Sequence, residues 1–382
     1  MTDVSIVASA ADLAEAARAW SVAPELALDT EFVRERTFYA RLGLVQVSDR
    51  THVWLVDPLA VGDLGPLSEV LGNPDVLKVV HSASEDLEVL RRSTGALPRP
   101  FLDTQIAATL AGVGGGLGYQ RLVAQTLGVE LFKGETRTDW LRRPLSDEQL
   151  AYAAEDVRYL LPAWDSVRSR LVELGRLEWA VEDSSQLLAE ERFQENEELA
   201  WQRLKAASRL APRQLAALQA LAAWRDVEAR RRDLPRGFVL KDDLLLALAV
   251  RQPKTLRDLE RLPSLDPRQS ARYGGTWLEI LRRVGELQDE ALPAPPPAVP
   301  DTPAARRLEK RLRERVRARA EELELAPEAL LTRRQLETVL LSTLLEGEPR
   351  LPASLSAWRR QVIGEEILDE ARAELRPPPA RA

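Results

Sequence analysis

The sequence predicts an α/β domain, a sheet with helices on both faces, followed by all-helical units. Three observations carry that prediction. The first ~170 residues alternate short β-rich runs with helical ones, the order of a layered α/β domain. From about residue 175 onward the pattern is almost wholly helical. Within that helical region, residues 291–303 (ALPAPPPAVPDTP) hold six prolines and cannot be helix.

The elements follow in order. Residues 25–33 (ELALDTEFV), 43–47 (GLVQV) and 53–57 (VWLVD) read as three successive strands, antiparallel neighbours by their short connections. A helix is expected near 64–71. Residues 76–81 (VLKVVH) form a continuous β-branched run, the pattern of a buried strand. Helices are expected over 85–92, 105–111 and 119–127. A longer one opens at Ser146, where Ser-Asp-Glu-Gln is a capping-box pattern. Leu308, Leu312, Val316 and Leu323 fall near helical spacing among arginines, as in an ordinary amphipathic helix.

Composition narrows the chemistry. The 382 residues are 45% hydrophobic and 30% charged, which suits two or three globular domains. With no cysteine, disulfides, thiolate zinc sites and cysteine nucleophiles are excluded. The two histidines, His52 and His81, are too few for a histidine-rich metal site. A bound metal must therefore be held mainly by carboxylates, which favours Mg2+ or Mn2+. The start, MTDVSIVASAADLAEAARAW, lacks a basic leader with an apolar core, and the densest apolar run, Leu244–Val250, is too short to span a bilayer. A cytoplasmic protein with no membrane partner is expected. The net charge of −7 is uneven. Residues 1–204 carry 20 Lys+Arg against 33 Asp+Glu, residues 205–290 carry 17 against 12, and residues 291–382 carry 16 against 15. An acidic first part beside a basic middle suits metal chemistry next to a grip for a polyanion.

Four acids stand where element ends can bring them together. Asp29 and Glu31 are two apart on one strand and project from the same face. Asp86 begins a helix just after the strand ending at His81, and Asp156 lies four residues after Tyr152, on the same helix face. Acids inside an apolar strand need a reason, because two like charges ~5 Å apart repel by ~3 kcal/mol at an effective dielectric of ~20. Two divalent ions remove the repulsion and supply activation of water and stabilisation of a leaving oxygen. Tyr152, beside them, is a candidate to orient the attacking water or to help deprotonate it.

Segments 28–49 (LDTEFVRERTFYARLGLVQVSD), 80–90 (VHSASEDLEVL) and 150–160 (LAYAAEDVRYL) resemble the three exonuclease motifs of the ribonuclease D family. Residues 101–107 (FLDTQIA) and 134–145 (GETRTDWLRRPL) are similar to its linking segments. The spacing Tyr152-x-x-x-Asp156 resembles the tyrosine-bearing (DEDDy) branch. The resemblance, which spans about residues 20–170, implies a ribonuclease H-like fold with a mixed five-stranded sheet. It implies metal ligation by Asp29, Glu31, Asp86 and Asp156, with Tyr152 as the water-positioning phenol. The implied activity is stepwise release of nucleoside 5′-monophosphates from RNA 3′ ends, notably of tRNA precursors, with two divalent metal ions (Mg2+ or Mn2+), no small-molecule cofactor and a monomeric enzyme.

Residues 233–262 (DLPRGFVLKDDLLLALAVRQPKTLRDLERL) resemble the core of an HRDC domain, with Arg236, Lys241, Arg251 and Lys254 as expected phosphate contacts. Residues 328–345 resemble a second HRDC-like unit more weakly. The resulting division is an exonuclease domain with trailing helices at 1–204, an HRDC domain at 205–290, a proline-rich linker at 291–303, a second HRDC-like helical domain at 304–376 and a disordered tail at 377–382. As polyproline the linker would span ~40 Å at ~3.1 Å per residue. Phe32, beside the acid pair, is read both as a wedge for terminal bases and as a core aromatic. His81 is expected to be a structural histidine. Residues 112–118 (GVGGGLG) lack the Lys-Ser/Thr of a phosphate-binding loop and read as a flexible loop near the substrate entrance. A DNA 3′→5′ exonuclease on the same fold and an inactive nucleic-acid-binding scaffold are the alternatives.

Overall fold

The computed structural model describes residues 3–131 and 138–375. Residues 134–137 of the 134–145 segment, and the tail expected to be disordered, lie outside the described residues. The chain forms two compact units: residues 1–33, 41–193 and 299–382, and residues 34–40 with 194–298.

The first unit is built on a mixed sheet of β1 (Asp3–Val7), β2 (Glu25–Val33), β3 (Arg41–Ser48), β4 (His52–Val56), β5 (Leu77–Val80) and β6 (Phe101–Asp103). Their order is β1-β4-β3-β2-β5-β6. β2–β3 and β3–β4 are antiparallel, whereas β1–β4, β2–β5 and β5–β6 are parallel. The α/β class is as expected, but the sheet has six strands instead of five. The two edges were the hard ones to read. β6 has three residues, and β1 turns Val4 and Ile6 outward (41% and 55% exposed), against the usual apolar-in alternation.

One core fills the face of β2, β3 and β4 that carries Ala27, Leu44, Val53 and Leu55. Two helices, Asp147–Arg158 and Leu160–Glu173, close it with Ala153, Val157, Leu160 and Trp164. Ser146 caps the first of them by the reciprocal bonds of a capping box with Gln149.

The same core continues into the last helices of the chain. The Pro303–Glu322 helix buries Leu308, Leu312 and Val316, which join Val339, Ile363 and Ile367 from the helices that follow. Trp358 stacks on Trp179 with centroids 4.4 Å apart and rings 6° from parallel. Asp183 accepts from Trp358 Nε1 at 3.0 Å and Arg359 Nη1 at 2.6 Å, and Arg176 donates to the Leu323 carbonyl at 2.8 Å. The apolar stripe of residues 304–375 packs among these last helices themselves, and the contacts to residues 176–183 join them to the first unit. Residues 292–302 take no helix or strand, and Val299 already packs against that core.

The second unit is helical. The Pro212–Arg231, Asp242–Arg251 and Pro267–Gly285 helices enclose Leu215, Leu218, Leu221, Leu245, Leu248 and Trp277. The segment 34–40 is anchored in it: Phe38 N and Tyr39 N donate to Asp233 at 3.0 and 3.1 Å.

Candidate metal centre

β2 enters the core as an apolar strand and then presents two acids on one face. Asp29 pairs across the antiparallel ladder with Gln46 and Glu31 with Leu44, and a bulge follows between Glu31 and Phe32. The Asp147–Arg158 helix packs over β2, β3 and β4. It brings Asp156 down so that one carboxylate oxygen each from Asp29, Glu31 and Asp156 lies within 4.8 Å of the others. Tyr152, one turn earlier, shares that helix face.

Asp86 is not part of this close set. It sits in the first turn of the Ser84–Thr94 helix, 8% exposed, and accepts a hydrogen bond from the Thr30 hydroxyl. Its charge nevertheless acts on Asp29 and Glu31. Three of the four expected ligands are thus brought together, with the fourth beside them and held by the residue between the strand acids.

Burial dominates the electrostatics. It drives the Asp29 carboxyl well above the ordinary range, reinforced by Asp86, Asp156 and Glu31. Burial, then Asp156 and Asp86, push Glu31 up to about 8. Burial lifts Asp156 to about 7 although its interaction with Tyr152 favours the charged form, and lifts Asp86 to about 6 against the bond from Thr30. Burial and then the charges of Asp156, Glu31 and Asp29 push the Tyr152 phenol upward.

The donor set fits a hard divalent cation. It consists of carboxylate oxygens, and Asp156 Oδ2 is buried with no hydrogen-bond partner among the described residues. An unpaired buried carboxylate oxygen beside two more acids is stabilised by a proton or by a cation.

The remaining expected residues fall into two groups. Phe32 is half-buried on β2. Lys241, Arg251 and Lys254 are exposed on the second unit. Arg236 is committed internally: it pairs with the buried Asp226 and lies 4.4 Å over the Phe38 ring. His81 is structural, with Nδ1 2.9 Å from Thr104 Oγ1 and Nε2 3.0 Å from the Leu117 carbonyl. Residues 112–118 form the loop that supplies that carbonyl.

Two supporting residues escaped the sequence reading. Thr30 holds Asp86, and nothing in the spacing announces it. Asp103 accepts Ser82 N, Ala83 N and Gln105 N at 3.0, 3.0 and 2.8 Å. It thereby fixes the turn before the Asp86 helix, where Ser82 adopts φ +59°. Its position just before a helix is an N-cap signal that could have exposed half of this role.

A family model described as 3′-5′ exonuclease matches residues 4–172, and one described as HRDC domain matches residues 214–281. Ribonuclease D of Pseudomonas paraeruginosa is 43% identical over 364 residues, covering 94% of this chain and 95% of that protein. Ribonuclease D of Escherichia coli is 37% identical over 358 residues, 94% of each chain. The crystal structure of Escherichia coli RNase D, described as an exoribonuclease involved in structured RNA processing, matches with a TM-score of 0.89 at 36% identity, covering 97% of this chain and 99% of that one.

Proposed function

The chain belongs to the ribonuclease D family and is a 3′→5′ exoribonuclease, and from that premise we propose that Asp29, Glu31, Asp86 and Asp156 hold two divalent cations, Mg2+ or Mn2+, for trimming the 3′ ends of tRNA precursors. The observation that carries this reading is the meeting of Asp29, Glu31 and Asp156 within 4.8 Å. When bound, the cations supply charge neutralisation at the scissile phosphate and a lowered pKa for water.

The protein groups do the rest. β2 and the helix bearing Asp156 fix the oxygens before substrate arrives, so little reorganisation is needed. Tyr152, kept protonated, donates a hydrogen bond that orients the attacking water in line with the phosphorus. Thr30 keeps Asp86 turned toward β2. Phe32, next after the acids, stacks on the terminal base. Lys241, Arg251 and Lys254 contact phosphates of the RNA body, while Arg236 buttresses that unit through Asp226. The same reading takes the enzyme to act as a cytoplasmic monomer; no helix among the described residues is long and apolar enough to cross a membrane.

The test uses a 5′-labelled tRNA with a 3′ extension, matched to a DNA oligomer, with Mg2+, Mn2+ or chelator. A ladder shortening one nucleotide at a time on the RNA, absent in chelator, is expected. Internal cuts, or trimming that persists in chelator, refute the proposal. Tyr152→Phe should lose at least ~10²-fold in kcat while retaining the metals, the usual scale for a lost proton-handling group; unchanged kcat removes the phenol from the mechanism.

A further inference from the structure

Gln46 lies at the middle of β3, fully buried, and neither its amide nitrogen nor its amide oxygen has a hydrogen-bond partner among the described residues. A carboxamide offers two N–H donors and a carbonyl acceptor. Leaving such a group buried and unpaired costs ~1–3 kcal/mol, and an apolar residue of similar volume removes that cost. Position 46 would be more stable as leucine or methionine if packing were its purpose. Polar residues that break the packing rules in a core mark functional sites.

The register says which function. Gln46 pairs directly with Asp29 across the antiparallel β2–β3 ladder. Directly opposed residues share a face, with Cβ atoms ~4.5–5.5 Å apart. Along β3 and β4 the neighbours of Gln46 on that face are apolar or engaged. Leu44 precedes it by two, Leu55 opposes it on β4, and the Ser48 hydroxyl already donates to the His52 carbonyl at 2.9 Å. Asp29 is the one ionisable group opposite it in register.

We infer that Gln46 is a positioning residue of the metal centre: its amide N–H, without a partner among the described residues, donates to one oxygen of the Asp29 carboxylate once the cations are held, turning the other oxygen toward the cation. This rests on the ligand reading given above. It adds a second layer to the centre, of the kind that orients a ligand and changes metal affinity by ~10–100-fold when lost. It also gives β3, which contributes no acid, a part in the chemistry.

The experiment titrates Mn2+ calorimetrically into the full-length wild type, Gln46→Leu, Gln46→Met and Asp29→Asn, without substrate, and records thermal melting in chelator for each. Gln46→Leu and Gln46→Met should melt no lower than wild type, since an unpaired amide is gone, yet bind Mn2+ ~10–100-fold more weakly. Their Mg2+ requirement for RNA trimming should rise by the same factor. Should one variant fail to fold, the other decides. Mn2+ affinity equal to wild type in a folded Gln46 variant overturns the inference while leaving the centre intact. If the wild type takes up no more Mn2+ than Asp29→Asn, the ligand reading falls, and the inference with it.

Discussion

Glu31→Gln should make the metal-free protein more stable while abolishing RNA trimming. Burial first, then the charges of Asp156 and Asp86, raise the Glu31 carboxyl from 4.5 to about 8. A carboxyl that holds its proton more tightly when folded stabilises the native state below its unfolded pKa. That stability is lost as pH rises from about 4.5 through about 8. Relative to an always-neutral glutamine, the loss amounts to ~3 kcal/mol at pH 7 and only ~1 kcal/mol at pH 5. In thermal melts with chelator, ~3 kcal/mol corresponds to roughly 6 °C at the ~2 °C per kcal/mol expected of a large domain. Glu31→Gln should therefore melt well above wild type at pH 7 and close to it at pH 5. Added Mg2+ should close the gap at pH 7 by raising the wild type alone. A variant no more stable than wild type at pH 7, or a gap that does not shrink at pH 5, refutes the claim that crowded, buried charge is what the cations relieve.

Two further outcomes follow from the supporting structure. Trp358→Ala removes the stack on Trp179 and one of the bonds to Asp183; it should destabilise the catalytic unit by ~3–5 kcal/mol, the cost of truncating a large buried aromatic. Thermal melting of a variant with bound Mg2+ checks this, and an unchanged transition would mean the last helices do not support the catalytic core. Asp103→Ala strands three buried or half-buried backbone N–H groups at ~1–3 kcal/mol each and frees the turn that leads to Asp86; kcat should fall more than ~10-fold, whereas retention of full kcat would show that the Asp86 helix holds its place unaided.

The centre was legible because acids inside apolar runs are physically conspicuous. Asp29 and Glu31 interrupt an otherwise buried strand, and the capping box at Ser146 set the phase of the helix that carries Tyr152 and Asp156. Gln46 gives the same signal within GLVQV but carries no charge, so its meaning needed the register with Asp29. Thr30 and Asp103 act through contacts to residues far along the chain, 56 and about 20 positions away, which no local pattern encodes. The edge strands were missed because β6 is only three residues long and β1 turns its apolar residues outward. The last helices showed an amphipathic stripe correctly, but a stripe states that a face is buried without stating against what.

Because residues 299–375 complete the interior begun by the sheet, the catalytic body is discontinuous along the chain. Synthesis of the intervening stretch, roughly one hundred residues at ~5–20 per second, delays its closure by on the order of ten seconds. The Leu177–Gln186 helix waits through that interval with Trp179 and Asp183 still lacking Trp358 and Arg359. A polypeptide released early from a broken message would thus carry every carboxylate of the centre but leave the Trp179 face of that helix without its stacking partner.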